Sequence, residues 1–171
     1  MILEVSGDIL LSEAQAMAHG VAPYDHFETG LARSLREMWP AMYKDFRHYC
    51  HTQNPAAGSA WMWGGTGGRR IVALFTQQQS EASHHQGHPG RATLENVNHA
   101  LRELRKMVER EHFTSLALPR LATGVGGLDW QQVRPLVVKQ LGDLTIPVYV
   151  YGTYHAGVPA KEAGATGGKA A

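Results

Sequence analysis

One stretch of the sequence has residue types and spacing that suit phosphate binding: residues 119–130, which read PRLATGVGGLDW. It follows a short apolar segment and precedes a segment with helical periodicity, so its three glycines lie between a strand and a helix. Backbone N–H groups at such a place can surround a phosphate or a diphosphate. The spacing matches neither a GxxxxGK[ST] P-loop nor a GxGxxG dinucleotide motif. The alternative is a turn that only packs strand against helix, with Asp129 as the helix cap.

Two earlier segments are expected near this glycine loop. Gly7, Asp8 and Ile9 follow the first predicted strand, and residues 19–32 begin in a second short segment of small residues. Because the carboxyl ends of parallel strands meet at one edge of a sheet, all three segments would border one cleft. Asp8 could accept hydrogen bonds from an exocyclic amine or a sugar hydroxyl, although an aspartate after a strand is also typical of a turn or cap. Gly30 would open a helix across the cleft.

The elements that must position these segments alternate along the chain. Strands are predicted at residues 1–5, 60–63, 70–75, 115–119 and 146–151, with a short segment of small residues at 16–22. Helices are predicted after Ser12, which would cap the first, and at 30–51 with a break at Pro40, 94–108 and 130–141. Residues 77–90 form a polar stretch. This alternation favours an α/β sandwich with a largely parallel central sheet.

Composition and charge restrict the class of protein. The 171 residues are 43% apolar and 18% charged, which is typical of one soluble globular domain. No apolar run approaches the roughly 20 residues that cross a bilayer, and the N-terminus lacks signal-peptide features, so a cytoplasmic monomer without membrane contact is expected. The net charge of +1 argues against a broad positive surface for nucleic acid but leaves a local basic patch open. We expect residues 1–159 to form the domain and the Gly/Ala-rich residues 160–171 to form a flexible tail.

Cysteine and histidine residues could hold a metal only if their spacing allowed it. The single cysteine, Cys50, excludes an internal disulfide and a multi-thiolate zinc site. Of the ten histidines, three lie within residues 84–88, and two, His48 and His51, flank Cys50. Neither group has the spacing of a zinc motif. Solvated histidines are therefore expected, with a metal site as the alternative, and no metal or cofactor is predicted.

Taken together, the motifs resemble a macrodomain. The likeness rests on the Gly7-Asp8-Ile9 start, the segment 18–32 and the final glycine loop, in this order, and it covers most of residues 1–154. The Pro-Arg before the loop and the Gly-Leu-Asp-Trp at its end are similar to one branch of macrodomains. That branch contains the terminal ADP-ribose glycohydrolases and the antitoxins that remove ADP-ribose from DNA. The resemblance implies a three-layer α/β/α sandwich with a central mixed, largely parallel sheet and a cleft for ADP-ribose.

The resemblance also implies a role for each part of the cleft. Asp8 would hold the adenine amine, Ile9 would give a backbone contact to the ring, and Tyr154 would pack on the adenine or its ribose. The glycine loop would wrap the diphosphate, and residues 20–31 would form the other lip, over the phosphate and the distal ribose. The ligand-binding residues implied are Asp8, Ile9, Gly20, Val21, Ala22, Gly30, Leu31, Thr123, Gly124, Val125, Gly126, Gly127, Leu128 and Tyr154.

The candidate catalytic residues follow from a departure from that branch. Its members use a lysine after the central strand to attack the anomeric carbon of the distal ribose, whereas residues 74–79 of this chain read LFTQQQ. An amide cannot form that covalent adduct. The human-type member also has an aspartate where this chain has Gly126. Asp25 and His26, on the loop over the distal ribose, and His19 beside it are therefore the candidates for a water-based route, with structural roles as the alternative.

Three functions stay open at this point. The favoured hypothesis is an enzyme that hydrolyses an ADP-ribosyl bond to a protein or nucleic-acid acceptor. A reader module would bind ADP-ribose without turnover, as the missing lysine allows. A small enzyme would act on free ADP-ribose derivatives such as the 1″-phosphate or the O-acetyl ester. The expected partner is ADP-ribose or an ADP-ribosylated macromolecule.

Overall fold

The chain forms one large sheet with helices on both faces. The computed structural model describes residues 1–80 and 89–162. Its strands are β1 (Ile2–Gly7), β2 (Ala16–Gly20), β3 (Ala60–Gly64), β4 (Arg70–Leu74), β5 (Gln77–Gln79), β6 (Pro89–Ala92), β7 (Leu116–Pro119) and β8 (Val148–Tyr154). Its helices are α1 (Gly30–Met38), α2 (Pro40–Gln53), α3 (Leu94–Glu111) and α4 (Trp130–Leu141).

The large sheet has the strand order β1-β8-β7-β2-β4-β3, and β5 pairs with β6 apart from it. The first five strands in this order are mutually parallel, and β3 runs antiparallel to β4 at the edge. The carboxyl ends of β1, β8, β7, β2 and β4 therefore open on the same edge. The predicted fold class, an α/β sandwich with a mixed, largely parallel sheet, is confirmed.

Each face of the sheet is covered by one helix pair. Helices α3 and α4 bury Leu101, Leu104 and Val133 on one face, against the small residues Ala16 and Ala18 of β2. On the other face, α1 and α2 bury apolar side chains around Met17 of the same strand. Because side chains alternate along a strand, the two buried sets come from neighbouring positions. The members contributed by α1 and α2 are Leu35, Met42, Phe46 and Cys50.

The segment after β1 differs from the sequence-based expectation. The predicted helix capped by Ser12 is wrong, because the chain makes a single 3-10 turn at Ile9–Leu11 and then enters β2. Asp8 caps that turn by accepting a hydrogen bond from the Leu10 N–H at 3.0 Å. The Ser12 hydroxyl accepts a hydrogen bond from the Ala14 N–H at 3.1 Å as a cap would, but β2 begins at Ala16 and leaves no room for a helix.

The predicted break in the helix of residues 30–51 can be compared with the structure. The predicted break at Pro40 is confirmed, since α1 ends at Met38 and α2 begins with Pro40, whose missing N–H costs nothing at a first helical position.

The polar stretch after β4 contains two short strands, β5 and β6. They were not predicted because Gln and Gly are poor strand formers. His48 and His51 are exposed on α2, and the histidines of 84–88 lie outside the described residues.

The C-terminal segment packs across the start of the 3-10 turn. The Glu162 carboxylate accepts hydrogen bonds from the Ser12 hydroxyl at 2.6 Å, the Tyr151 hydroxyl at 2.7 Å and the Glu13 N–H at 2.9 Å. The Gly157 N–H donates to Asp8 Oδ2 at 2.9 Å. The first residues of the predicted tail are therefore docked, and residues 163–171 lie outside the described part of the chain.

Truncation after Pro159 is expected to destabilise the protein, whereas truncation after Glu162 is not. Loss of the Glu162 carboxylate removes three hydrogen bonds to a charged group, which we expect to cost about 2 kcal/mol. For a domain of this size the corresponding fall in Tm is about 6 °C. Thermal unfolding of the two truncated forms measures the difference. Equal Tm values would show that Glu162 contributes nothing.

Membrane insertion was not expected from the sequence. Over residues 1–80 and 89–162, no helix has both the length and the apolar character needed to cross a bilayer.

Candidate functional site

A two-part cleft lies at the carboxyl edge of the large sheet. The wide cavity, about 510 Å³, is bordered by residues of β1, β8 and α1, among them Ile9, Tyr151 and Tyr154. The narrow cavity, about 240 Å³, is bordered by the end of β2, by the first residues of β5 and β6, and by the glycine loop. Both cavities share Gly30, Leu31, Pro119, Arg120 and Thr123. They are therefore two halves of one cleft, joined at a waist between α1 and the glycine loop.

Next to the waist, the glycine loop has unpaired backbone N–H groups on residues that border the narrow cavity. Within the described residues, the N–H groups of Gly124, Val125 and Gly126 have no hydrogen-bond partner in the protein. Across from them, α1 begins at Gly30 without a side-chain cap from Thr29. Free amides at a loop and at a helix N-terminus bind anions. The waist thus suits a negatively charged group that links two larger parts of a ligand.

The shape of the glycine loop depends on Gly126. A Cβ atom there would lie 2.7 Å from the Ala122 carbonyl oxygen and 3.0 Å from the Ala92 Cβ. The loop is closed by hydrogen bonds from the Leu128 N–H to the Ala122 carbonyl and from the Ala92 N–H to the Gly126 carbonyl. Gly124 differs, because a Cβ atom there would meet nothing within 4 Å. Gly126 is therefore needed for packing, and Gly124 leaves space beside the waist.

The wide cavity contains an aromatic side chain, and its wall includes Gly7 and Ile9 on either side of Asp8 but not Asp8 itself. Ile9 and Tyr154 border the cavity, and the Tyr154 side chain is 61% exposed. Asp8 accepts hydrogen bonds from the N–H groups of Leu10 and Gly157, so it organises the 3-10 turn and the C-terminal segment. Each carboxylate oxygen has a further lone pair. The predicted contact of Asp8 with an exocyclic amine stays a prediction.

Three buried polar side chains border the narrow cavity: His19, Asp25 and Gln77. The Asp25 carboxylate accepts hydrogen bonds from the N–H groups of Ala22 at 3.1 Å and Phe27 at 2.9 Å, so the fold holds it in one position. Burial raises the pKa of Asp25 above its ordinary value. Among the described residues that line the cleft, Asp25 is the only one with a carboxylate.

His19 lies at the end of β2 on the α1 side of the sheet. Its ring meets the edge of the Phe27 ring, with 5.5 Å between the centroids. Burial lowers the pKa of His19 to about 4, so the imidazole is uncharged at neutral pH. The side chain therefore offers one donor and one acceptor and no positive charge.

Several predicted site residues do not line the cleft in the described part of the chain. His26 borders a separate pocket of about 50 Å³ with Tyr24 and Cys50, and its imidazole lies 3.6 Å from Glu28. Val21 and Ala22 are fully buried, and their N–H groups donate to the Leu74 carbonyl and to Asp25. Gly127 and Leu128 belong to the loop but are not part of either cavity wall. The geometry offers no support for His26 as a catalytic group.

Other cleft residues were not predicted as part of the site. Gln77 follows β4, where the lysine of the related branch was sought, and its side-chain N–H donates to the Gly90 carbonyl at 3.0 Å. Pro89 reaches the narrow cavity through the unpredicted β6. Arg120 borders both cavities and lies 5.5 Å from the centre of the Trp130 ring, so it places a positive charge beside the waist. The Pro-Arg dipeptide before the glycine loop could have indicated that Arg120 belongs to the site, because it is one of the features that resemble the related branch.

Comparison with known proteins identifies the family. The Macro domain family matches residues 28–137, which is more than half of the chain. The protein belongs to the Macro domain family.

Among curated relatives, a DNA ADP-ribosyl transferase–DNA ADP-ribosyl glycohydrolase fusion protein of Thermosipho africanus is 25% identical over 162 residues. The match covers 86% of this chain and 40% of the relative. The chain thus spans about two fifths of the length of the DNA ADP-ribosyl glycohydrolases that it matches. An ADP-ribose 1″-phosphate phosphatase of Chaetomium globosum is 26% identical over 165 residues, covering 85% of this chain and 88% of the relative.

Solved structures show the same fold. The macrodomain of Thermus aquaticus DarG superposes with a TM-score of 0.77 at 23% identity, over 88% of this chain and 97% of that chain. Thermosipho africanus DarTG in complex with ADP-ribose gives a TM-score of 0.78 at 23% identity, over 88% of this chain and 41% of that chain. The fold expected from the resemblance to macrodomains is therefore confirmed.

Proposed function

We propose that the cleft binds ADP-ribose, with the adenosine in the wide cavity and the distal ribose in the narrow cavity. The observation that carries this proposal is the glycine loop beside the waist, where three successive N–H groups belong to residues of the narrow cavity wall and are unpaired among the described residues. A diphosphate between two sugar-containing parts matches a waist between two cavities. The solved relative in complex with ADP-ribose supports the same ligand.

We further propose that the protein hydrolyses an ADP-ribosyl bond by a water-based route. In this reaction a water oxygen bonds to the anomeric carbon as the bond to the acceptor breaks and the acceptor takes the bonding electrons. Asp25 accepts the proton of the water, and the acceptor leaves with a proton from solvent. Burial favours this role, because a raised pKa makes the carboxylate a better base. Gln77, the first residue of β5, cannot act as a covalent nucleophile.

The acceptor proposed first is a nucleic acid, because several matched relatives are DNA ADP-ribosyl glycohydrolases. Arg120 at the rim of the cleft gives such an acceptor a cationic contact. The second candidate substrate is ADP-ribose 1″-phosphate. The Chaetomium globosum phosphatase favours this substrate. The match covers 88% of the length of that relative, whereas it covers about two fifths of the length of the DNA ADP-ribosyl glycohydrolases.

Calorimetric titration with ADP-ribose, AMP, ADP and NAD tests the binding proposal. We expect saturable binding that prefers ADP-ribose, because AMP and ADP lack the distal ribose and NAD carries a nicotinamide on the anomeric carbon of that ribose. Equal affinity for AMP and ADP-ribose would show that the narrow cavity takes no part. Incubation with ADP-ribosylated DNA and with ADP-ribose 1″-phosphate, followed by chromatography of the released nucleotide, then separates the two candidate reactions and a reader without turnover.

A further inference from the structure

The residues that follow β8, 155–162, form a C-terminal strap that is docked on the end of β1. The His155 N–H donates a hydrogen bond to the Gly7 carbonyl at 3.2 Å. The Asp8 N–H in turn donates to the Val158 carbonyl at 2.8 Å. The strap is therefore paired with the backbone at the point where β1 ends.

Two further contacts hold the strap at this point. The Gly157 N–H donates to the Asp8 carboxylate at 2.9 Å. Gly7 leaves room for the strap, because a Cβ atom there would lie 2.8 Å from the Ala160 nitrogen, and its φ of +145° suits glycine. The end of β1 thus contacts the strap through both backbone and side-chain atoms.

Glu162 anchors the other end of the strap. Its carboxylate accepts hydrogen bonds from the Ser12 hydroxyl at 2.6 Å, the Tyr151 hydroxyl at 2.7 Å and the Glu13 N–H at 2.9 Å. Hydrogen bonds to a charged group are among the stronger ones in proteins. Because the strap follows the last strand of the large sheet, its release would open no strand pair. Docking and release of the strap can therefore occur as a local equilibrium.

Both anchor points of the strap connect to the wall of the wide cavity. That wall includes Gly7 and Ile9, on either side of Asp8, and also Tyr151. Within the described part of the chain, no strap residue belongs to the wall. The strap therefore acts on the cavity through the wall residues that it holds. A released strap would leave the Asp8 carboxylate and the Tyr151 hydroxyl without these partners.

We propose that the C-terminal strap is a conformational element coupled to the ligand. Its docking holds the wall of the wide cavity in the shape that binds an adenine nucleotide, and the bound nucleotide stabilises the docked strap. Glu162 is then a positioning residue, which acts on the ligand through Tyr151. Coupling of this kind is reciprocal, so docking and binding strengthen each other by the same factor. The inference rests on the proposed binding of the adenosine part in the wide cavity.

Hydrogen exchange tests the coupling on the unsubstituted protein. The exchange rate of the strap amides follows the population in which the strap is released. We expect AMP to slow exchange in residues 155–162 by about fivefold and the effect to level off once AMP saturates the cavity. Stabilisation against global unfolding would instead keep growing with AMP concentration. Because no strap residue lines the cavity in the described structure, direct shielding by AMP would not produce this result.

Glu162→Ala gives the reciprocal measurement, with Lys161→Ala as the control. Lys161 is the exposed neighbour of Glu162 in the strap. We expect calorimetry to show that Glu162→Ala binds AMP and ADP-ribose about three- to fivefold more weakly, since both nucleotides occupy the wide cavity. Lys161→Ala should leave both affinities within about twofold. Glu162→Gln, which keeps a hydrogen-bond acceptor, should recover part of the lost affinity.

The outcomes separate this inference from the proposed function. Unchanged strap exchange in the presence of bound AMP would overturn the coupling. An AMP affinity in folded Glu162→Ala equal to that of the unsubstituted protein would overturn it as well. Failure of the unsubstituted protein to bind either AMP or ADP-ribose would overturn the proposed function and this inference with it.

Discussion

Gly124→Glu is expected to lower the affinity for ADP-ribose by about a hundredfold or more. Gly124 borders the narrow cavity next to the waist, and its N–H is one of the three unpaired groups of the glycine loop. A carboxylate on this residue would bring a negative charge close to the proposed diphosphate, and a loss of about 3 kcal/mol corresponds to this change in affinity. Calorimetric titration with ADP-ribose measures the effect.

Gly124→Ala is the matched control for this substitution. A Cβ atom at Gly124 meets nothing within 4 Å, so the methyl group alone should change the affinity by less than about threefold. Both variants should unfold at the Tm of the unsubstituted protein. Undiminished binding in Gly124→Glu would show that the loop does not contact the diphosphate. The same substitution at Gly126 would be a poorer test, because a Cβ atom there already collides with Ala122 and Ala92.

The position of the glycine loop and of the strand ends beside it could be predicted from the sequence, because each depends on residues that are close together in the chain. The loop lies between β7 and α4 as the residue pattern indicated, and the ends of β1 and β2 share its edge of the sheet because those strands are parallel. Asp129 caps α4 by accepting a hydrogen bond from the Gln131 N–H, so the capping role considered for this residue is confirmed, whereas phosphate binding by the loop stays a prediction. Capping and phosphate binding are compatible, since they use different atoms.

Features that depend on contacts far apart in the sequence were not predictable in this way. The Glu162 carboxylate accepts a hydrogen bond from the Ser12 hydroxyl across 150 positions, a contact that no local residue pattern indicates. His26 and Asp25 are adjacent, yet only Asp25 faces the cleft, because its carboxylate is bound by the N–H groups of Ala22 and Phe27. Backbone conformation decides this orientation, and no residue pattern shows it.

Asp25→Asn is expected to abolish most turnover while ADP-ribose still binds. An amide cannot accept the proton of the attacking water, and removal of a general base lowers kcat by about a hundredfold or more. The amide oxygen keeps one of the two backbone hydrogen bonds of the carboxylate, and the amide NH2 faces the other N–H donor, so we expect a fall in Tm of several degrees in a variant that still folds. Single-turnover assays and calorimetry on the same preparation separate the effect on kcat from the effect on affinity.

The dependence of the hydrolysis rate on pH is a further test of Asp25 as the base. A base must be deprotonated to act, so the rate should rise with pH and level off above the pKa of Asp25, which burial places above the ordinary aspartate value. The Asp25→Asn variant should lose this limb of the profile. Asp129→Asn serves as the control, because Asp129 caps α4 outside the cleft walls and should leave kcat unchanged. An unaltered kcat in Asp25→Asn would mean that Asp25 only organises its loop and that the proton goes to solvent or to the ligand itself.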